Sequence, residues 1–230
     1  MPKPIPFRIN AETPLEKWRA ETFWTKEPET LAWISSFRDD AVFYDVGANI
    51  GVYSLYCARA HRQAAVYAFE PHPENYRSLC RNVGLNRMKN VIPVFCALSD
   101  GIELGTFRFD SYESGTSCGT GTGRKMPHLQ WIFCYSMNAL VRQFSLPMPH
   151  HVKIDVDGAE GKIIEGMEVL LYERVLKSVL IEINDDREAI YDTFTRHGFS
   201  TDNRFNARRN HSRVRRGREG ITAENVVFTR

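Results

Sequence analysis

The sequence predicts an α/β protein whose βαβ units wind around a mostly parallel sheet, and three observations point there. From Lys26 onward, short apolar runs alternate with stretches of helical periodicity. The run Ala41 to Val46 feeds straight into a glycine turn, Gly47-Ala-Asn-Ile-Gly51, that opens a helix. Nineteen residues after Gly51 a second apolar run ends in an acidic residue, Glu70.

Pro28 suits the first turn of a helix because its missing N–H is not needed there. Leu31, Ile34 and Phe37 then recur at helical spacing until the Arg38-Asp39-Asp40 break. After the first strand, Ile50 to Arg62 reads as a helix, Ala65 to Phe69 as the second strand, Asn75 to Leu85 as a helix and Val91 to Ala97 as the third strand. Between 101 and 140 the alternation is irregular: Leu104 to Phe109 reads as a short edge strand and 114–123 as a loop of small residues. Regularity returns with a fourth strand, His151 to Val156, a helix from Glu160 to Leu171, a fifth strand, Ser178 to Ile183, and a helix from Asp186 to His197. Two last strands near Phe199–Thr201 and Val226–Thr229 would form a terminal hairpin. The expected organisation is one globular unit, with an N-terminal helical segment (1–40) packed on a core domain (41–230).

Composition narrows the class. With 230 residues, 43% apolar and 25% charged, the chain can bury one substantial core. No apolar run approaches the roughly 18 to 20 residues of a membrane helix, and the start Met1-Pro-Lys-Pro-Ile-Pro lacks a signal peptide's apolar segment, so a soluble, cytoplasmic protein is expected. Five cysteines with no Cys-x-x-Cys pair argue against a disulfide framework or a structural zinc site. Seven arginines lie between Arg204 and Gly220 against the single Glu219, while the rest of the chain is net acidic. The basic character is therefore local, and nucleic acid is not the expected partner.

The strongest chemical signal is Asp45-Val-Gly47-Ala-Asn49-Ile-Gly51 followed by Glu70. Gly47 allows the tight turn, and Gly51 permits close approach of a ligand or of helix to strand. Glu70 at the end of the second strand is placed to accept both hydroxyls of a ribose. Dinucleotide sites usually carry three glycines and leave the helix start to a pyrophosphate, which Asp45 would repel. The same carboxylate can accept from the ammonium of a methionine moiety, directly or through water, so S-adenosylmethionine (SAM) fits better than NAD.

At these residues the sequence resembles the FkbM-type SAM-dependent methyltransferases. Asp45-Val-Gly-Ala-Asn-Ile-Gly51, Ala68-Phe-Glu70-Pro-His-Pro-Glu-Asn75, Ala97-Leu-Ser-Asp100-Gly and Lys153-Ile-Asp155-Val-Asp-Gly158-Ala-Glu160 stand in the family's order and spacing. Asp157 departs from the family's usual glutamate. The resemblance implies a Rossmann-like class I methyltransferase fold: a seven-stranded, mostly parallel sheet with helices on both faces and an antiparallel last strand. It also implies transfer of a methyl group from SAM to a hydroxyl on a sugar, glycolipid or polyketide-type acceptor.

The residues expected at the cofactor are Asp45, Gly47, Ala48, Asn49, Gly51, Glu70, Pro71, Cys96, Ala97 and Asp155. A backbone N–H near Cys96 and Ala97 could bond the adenine while Leu98 packs on it, although Cys96 alone also reads as a plain core cysteine. Carboxylates at the C-terminal end of the fourth strand belong where open α/β sheets bind ligands. Asp155 is the first candidate for the base that takes the acceptor's proton, then Glu160 and Glu182. Two structural readings compete: Asp157 and Glu160 capping the following helix, and a buried Lys153–Asp155 ion pair. Hard cations choose carboxylates, but nothing in the spacing of Asp155, Glu182 and Asp185 demands one, and no metal is expected. His150 and His151, at the far end of the fourth strand, read as surface residues, His72 as a turn residue, and Trp18, Trp24 and Trp33 as packing residues.

The Arg204 to Arg218 segment suits an anionic small-molecule or glycan acceptor, because guanidinium groups bind phosphate and carboxylate bidentately; a solvated loop is the alternative. Two other functions stay open: an RNA or protein methyltransferase gripping its substrate with the arginines, and a non-catalytic nucleoside-cofactor-binding module.

Overall fold

The computed structural model describes residues 5–116, 127–156, 158–183, 186–206 and 224–230. Asp157, Asn184, Asp185 and the arginines at 208, 209, 213, 215, 216 and 218 lie outside that set, so readings that fall on them are not placed. The chain begins with α1 (Pro14–Lys26) and α2 (Pro28–Ser35), then β1 (Val42–Val46), α3 (Val52–Ala60), β2 (Ala65–Phe69), α4 (Pro73–Leu85), β3 (Val91–Val94) and β4 (Ala97–Leu98). It continues with β5 (Glu103–Phe109), β6 (His128–Tyr135), α5 (Met137–Arg142), β7 (His151–Ile154), α6 (Glu160–Glu165), α7 (Glu168–Tyr172) and β8 (Ser178–Ile183). α8 (Arg187–Arg196), β9 (Ser200–Thr201), α9 (Asn203–Asn206) and β10 (Glu224–Thr229) complete it.

Seven strands form one sheet in the order β3-β2-β1-β7-β8-β10-β9. β1, β2, β3, β7 and β8 pair in parallel, and β10 runs antiparallel to both β8 and β9. This is the sheet the family resemblance implies. Alternation along β1 sends Tyr44 and Val46 to one face, where they join Met137, Ile163, Leu170 and Phe194 from the later helices. Phe43 faces the other way, into a cluster with Phe23, Leu31, Trp33 and Tyr56 from α1, α2 and α3. Among the described residues no helix is long and apolar enough to cross a membrane.

Three expected elements differ. The third strand stops at Val94, where the Cys96 N–H turns back to the Val94 carbonyl at 3.2 Å, and Ala97–Leu98 joins a second sheet of order β4-β6-β5. The expected helix 160–171 is divided at Gly166, where the Ser99 carbonyl occupies the space a Cβ would need. α1 is a full helix of 13 residues that apolar periodicity does not announce.

Candidate cofactor site

Gly47, Asn49 and Gly51 have φ of 76°, 53° and 88°, the left-handed region that glycine enters freely and asparagine tolerates. A Cβ on Gly47 would collide with the Asp155 carbonyl oxygen, and one on Gly51 with the Leu79 side chain of α4. Close approach at Gly51 is thus between the turn and a neighbouring helix. The N–H groups of Gly47 and Ala48 both donate to the Phe69 carbonyl at 3.0 Å, fixing the turn to the end of β2. That places the Asn49 N–H 2.7 Å from Glu70 Oε2. The Asn49 side chain accepts from Ile50 N–H at 2.9 Å and donates to the Thr116 carbonyl at 3.0 Å.

Glu70 is buried, and its other oxygen, Oε1, accepts from the His72 N–H at 2.9 Å. Burial pushes the Glu70 pKa up to about 7, against the opposing pull of the His72 and Asn49 N–H groups, the Asn75 side chain and the Arg19 charge. His72 is more than a turn residue. Its fully buried ring caps α4 by accepting from the Asn75 N–H at 3.3 Å, which leaves Nε2 to donate to the Ser111 carbonyl at 2.9 Å. Desolvation holds it below the usual histidine range. The Pro71 carbonyl accepts from Gln130 Nε2 at 2.7 Å, tying the same loop to β6.

A second charged group lies beside the turn. Asp45 is fully buried; its Oδ2 accepts from Ser54 Oγ at 2.5 Å, while Oδ1 has no hydrogen-bond partner. Burial raises its pKa, opposed by the charge of Lys153, its register neighbour on β7. Lys153 is itself buried, 2.7 Å from Asp155 Oδ2 and 4.9 Å from the Tyr53 ring centre. Desolvation pulls Lys153 down, but the charges of Asp155, Asp45 and Glu27 outweigh it and keep it protonated. The expected ion pair is therefore present, with the Asp155 side chain 24% exposed. Glu160, in the first turn of α6, and Glu182, near the end of β8, are both buried; no side-chain cap bond is made at that helix start. Cys96 is a buried thiol with its pKa pushed to about 12 by desolvation, and Leu98 joins the core beside Met137.

Sequence reasoning missed what covers this site. α1 opens with a capping box: Thr13 Oγ1 accepts from the Glu16 N–H at 3.1 Å and Glu16 Oε2 from the Thr13 N–H at 3.0 Å. The Thr13-x-x-Glu16 pattern was the available signal. Glu16 is buried, and its Oε1 accepts from Ser78 Oγ of α4 at 2.7 Å. Further along the same face, Arg19 Nε donates to the Gly115 carbonyl at 2.8 Å. Residues 113–116 form a strap between α1 and the turn: the Thr116 carbonyl accepts from both Asn49 Nδ2 and Asn75 Nδ2 at 3.0 Å, and the Gly115 N–H donates to Asn75 Oδ1 at 2.7 Å. Tyr53 OH donates to the buried Glu27 at 2.7 Å.

Other placements correct the expectations. His151 is half-buried rather than free at the surface: its ring stacks on Phe37 with centroids 3.7 Å apart, and burial drops its pKa to about 3. Trp33 is buried, whereas Trp18 stands 46% exposed on the outer face of α1, with Lys26 Nζ 5.4 Å from its ring. Arg204, the described member of the arginine cluster, is committed to Asp202, with Nε–Oδ1 at 3.0 Å and Nη2–Oδ2 at 2.6 Å.

The sequence profile of the Methyltransferase FkbM domain matches residues 45–201. The hexuronic acid methyltransferase AglP of Haloferax volcanii is 28% identical over 178 residues, 77% of this chain and 70% of that protein. The 31-O-demethyl-FK506 methyltransferase FkbM of Streptomyces tacrolimicus is 37% identical over 79 residues, 34% of this chain and 29% of that protein. The crystal structure of Methyltransferase FkbM from Methylobacillus flagellatus superposes with a TM-score of 0.53 at 14% identity, covering 97% of this chain and 56% of that one.

Proposed function

Given that the chain belongs to the FkbM methyltransferase family and is a SAM-dependent methyltransferase, we propose that it methylates a hydroxyl group on a sugar, glycolipid or polyketide-type small molecule. The observation that carries this reading is the cradle around the glycine turn. Glu70 presents a buried carboxylate beside the turn, with one oxygen on the Asn49 N–H and the other on the His72 N–H, and Asp45 Oδ1 is a buried acceptor with no hydrogen-bond partner. Such a donor-poor cradle fits the ribose hydroxyls and the ammonium of SAM. The residues that hold the cofactor in this reading are Asp45, Gly47, Ala48, Asn49, Gly51, Glu70, Pro71, Cys96, Ala97 and Asp155.

Bound SAM supplies a sulfonium methyl open to in-line attack. The chain's own residues orient the acceptor and take its proton. Asp155 is the candidate base: it directly follows β7 beside the turn, and it is the most exposed of the three candidate carboxylates. Lys153 holds it in place. Glu160 and Glu182 line the same end of the sheet and shape the acceptor side. The name of the Haloferax relative favours an acceptor bearing a carboxylate, which the Arg204–Arg218 segment suits.

The test is methyl transfer from radiolabelled SAM to a panel of uronic acids, nucleotide sugars and hydroxylated macrolides. Label should enter a hydroxyl acceptor and fall at least about 100-fold in Asp155→Asn. Replacing Arg208, Arg209, Arg215 and Arg216 with Ser should raise the acceptor's KM and leave the affinity for S-adenosylhomocysteine unchanged. Transfer to tRNA or protein alone would replace this reading.

A further inference from the structure

The region matched by the family profile begins at Asp45, yet a guanidinium from well before it reaches the cofactor cradle. Arg19 lies on the inward face of α1 with Glu16 and Phe23, at positions i, i+3 and i+7 of one helical stripe. Glu16 anchors that stripe to Ser78, and Phe23 packs against Tyr53 with ring centroids 5.8 Å apart. Between these two fixed points Arg19 Nε is held on the Gly115 carbonyl. The next residue of the strap, Thr116, is bonded by Asn49 of the glycine turn. A Cβ on Gly115, whose φ is +90°, would press within 3.1 Å of Leu15, so the strap lies directly on α1.

The electrostatics describe the same place. Burial works against the charge of Arg19, and the nearby carboxylates of Asp155, Glu70 and Glu27 favour it. Among the described residues two cations act on this cradle, Lys153 and Arg19. Lys153 is 1% exposed and closed off by Asp155 and the Tyr53 ring. Arg19 is half-buried and approaches from the cover rather than from the floor. SAM brings two positive groups, the sulfonium and the ammonium, and one negative group, the carboxylate of its methionine. Asp45, Asp155 and Glu70 answer the positive groups and the ribose. The carboxylate needs a planar cationic fork.

We propose that Arg19 binds the carboxylate of SAM's methionine, so that the cofactor itself ties α1 and the 113–116 strap to the glycine turn. The proposal rests on the SAM reading above and adds a residue outside the matched domain to the cofactor site.

Calorimetric titration of the wild type, Arg19→Met and Arg19→Lys with S-adenosylhomocysteine and with 5′-methylthioadenosine, which lacks the amino-acid portion, tests it. Arg19→Met should weaken S-adenosylhomocysteine about tenfold or more and leave methylthioadenosine within about twofold, with Arg19→Lys between wild type and Arg19→Met. Retained methylthioadenosine binding also shows that the variant is folded. Equal weakening of both ligands would make Arg19 a structural residue and overturn the proposal, as would no change in either. A wild type that binds neither ligand would instead refute the cofactor reading.

Discussion

At the C-terminal ends of β1, β2 and β7 the protein buries charge: Asp45, Glu70 and Lys153 lie out of solvent around one turn. At the N-terminal ends of β1, β7 and β8 it ties uncharged groups, the buried Trp33 and Ser178 and the half-buried His150 and His151, into hydrogen bonds. Trp33 Nε1 donates to Ser178 Oγ at 2.8 Å, His151 Nδ1 lies 2.7 Å from the same oxygen, and His150 Nδ1 accepts from the Val42 N–H at 2.8 Å. Burial holds His151 well below the usual histidine range, so its ring is neutral. The lower end is complete within the chain. The upper end holds Asp45 Oδ1, a buried acceptor with no hydrogen-bond partner, its burial opposed by the charge of Lys153. On the proposed reading, the contrast separates groups kept for stability from groups kept for binding.

Removing Glu70 should break the upper end most sharply: Glu70→Ala loses at least about 100-fold in S-adenosylhomocysteine affinity by calorimetry. A variant that binds like the wild type would erase the distinction. Ser178→Ala acts on the lower end alone. Leaving Trp33 N–H and His151 Nδ1 without their partner should cost about 2 kcal/mol in urea unfolding, with S-adenosylhomocysteine affinity within about twofold of wild type.

The smallest effects are in pH. Glu70 titrates at about 7 in the folded chain, above the ordinary 4.5, so its favourable contribution is complete below 4.5 and is lost as pH rises through about 7. His151, at about 3 against 6.5, contributes fully above 6.5 and loses that contribution as pH falls toward 3. Urea unfolding of the ligand-free protein should show both slopes. Glu70→Gln should flatten the one between 4.5 and 7, and His151→Phe the one between 6.5 and 3. Cofactor affinity should run against the first slope, strengthening as Glu70 ionises.

Most of the sheet was legible because its strands are apolar runs bounded by turns, and the cofactor turn because its glycines and Glu70 stand at diagnostic spacing. α1 was not legible: its inward stripe is Glu16, Arg19 and Phe23, so two of the three positions that define its buried face are charged. β6 was hidden for the opposite reason. Its outward residues Leu129, Trp131 and Phe133 are 46%, 66% and 59% exposed, which blurs the alternation that marks a half-buried strand. The strap at 113–116 is read only through its hydrogen bonds, since small polar residues carry no periodic signal. His72 looked like punctuation between two prolines because nothing local shows that its ring will be buried.

The capping residue of α1 also sets an order of assembly. Thr13 Oγ1 donates to the Ser114 carbonyl at 2.9 Å, across a separation of 101 positions. At a synthesis rate of roughly 5 to 20 residues per second, α1 leaves the ribosome about 5 to 20 seconds before the strap it rests on exists. The cap of α1 therefore gains this partner only once the chain has been made as far as Ser114, and until then the helix start has the capping box between Thr13 and Glu16 alone.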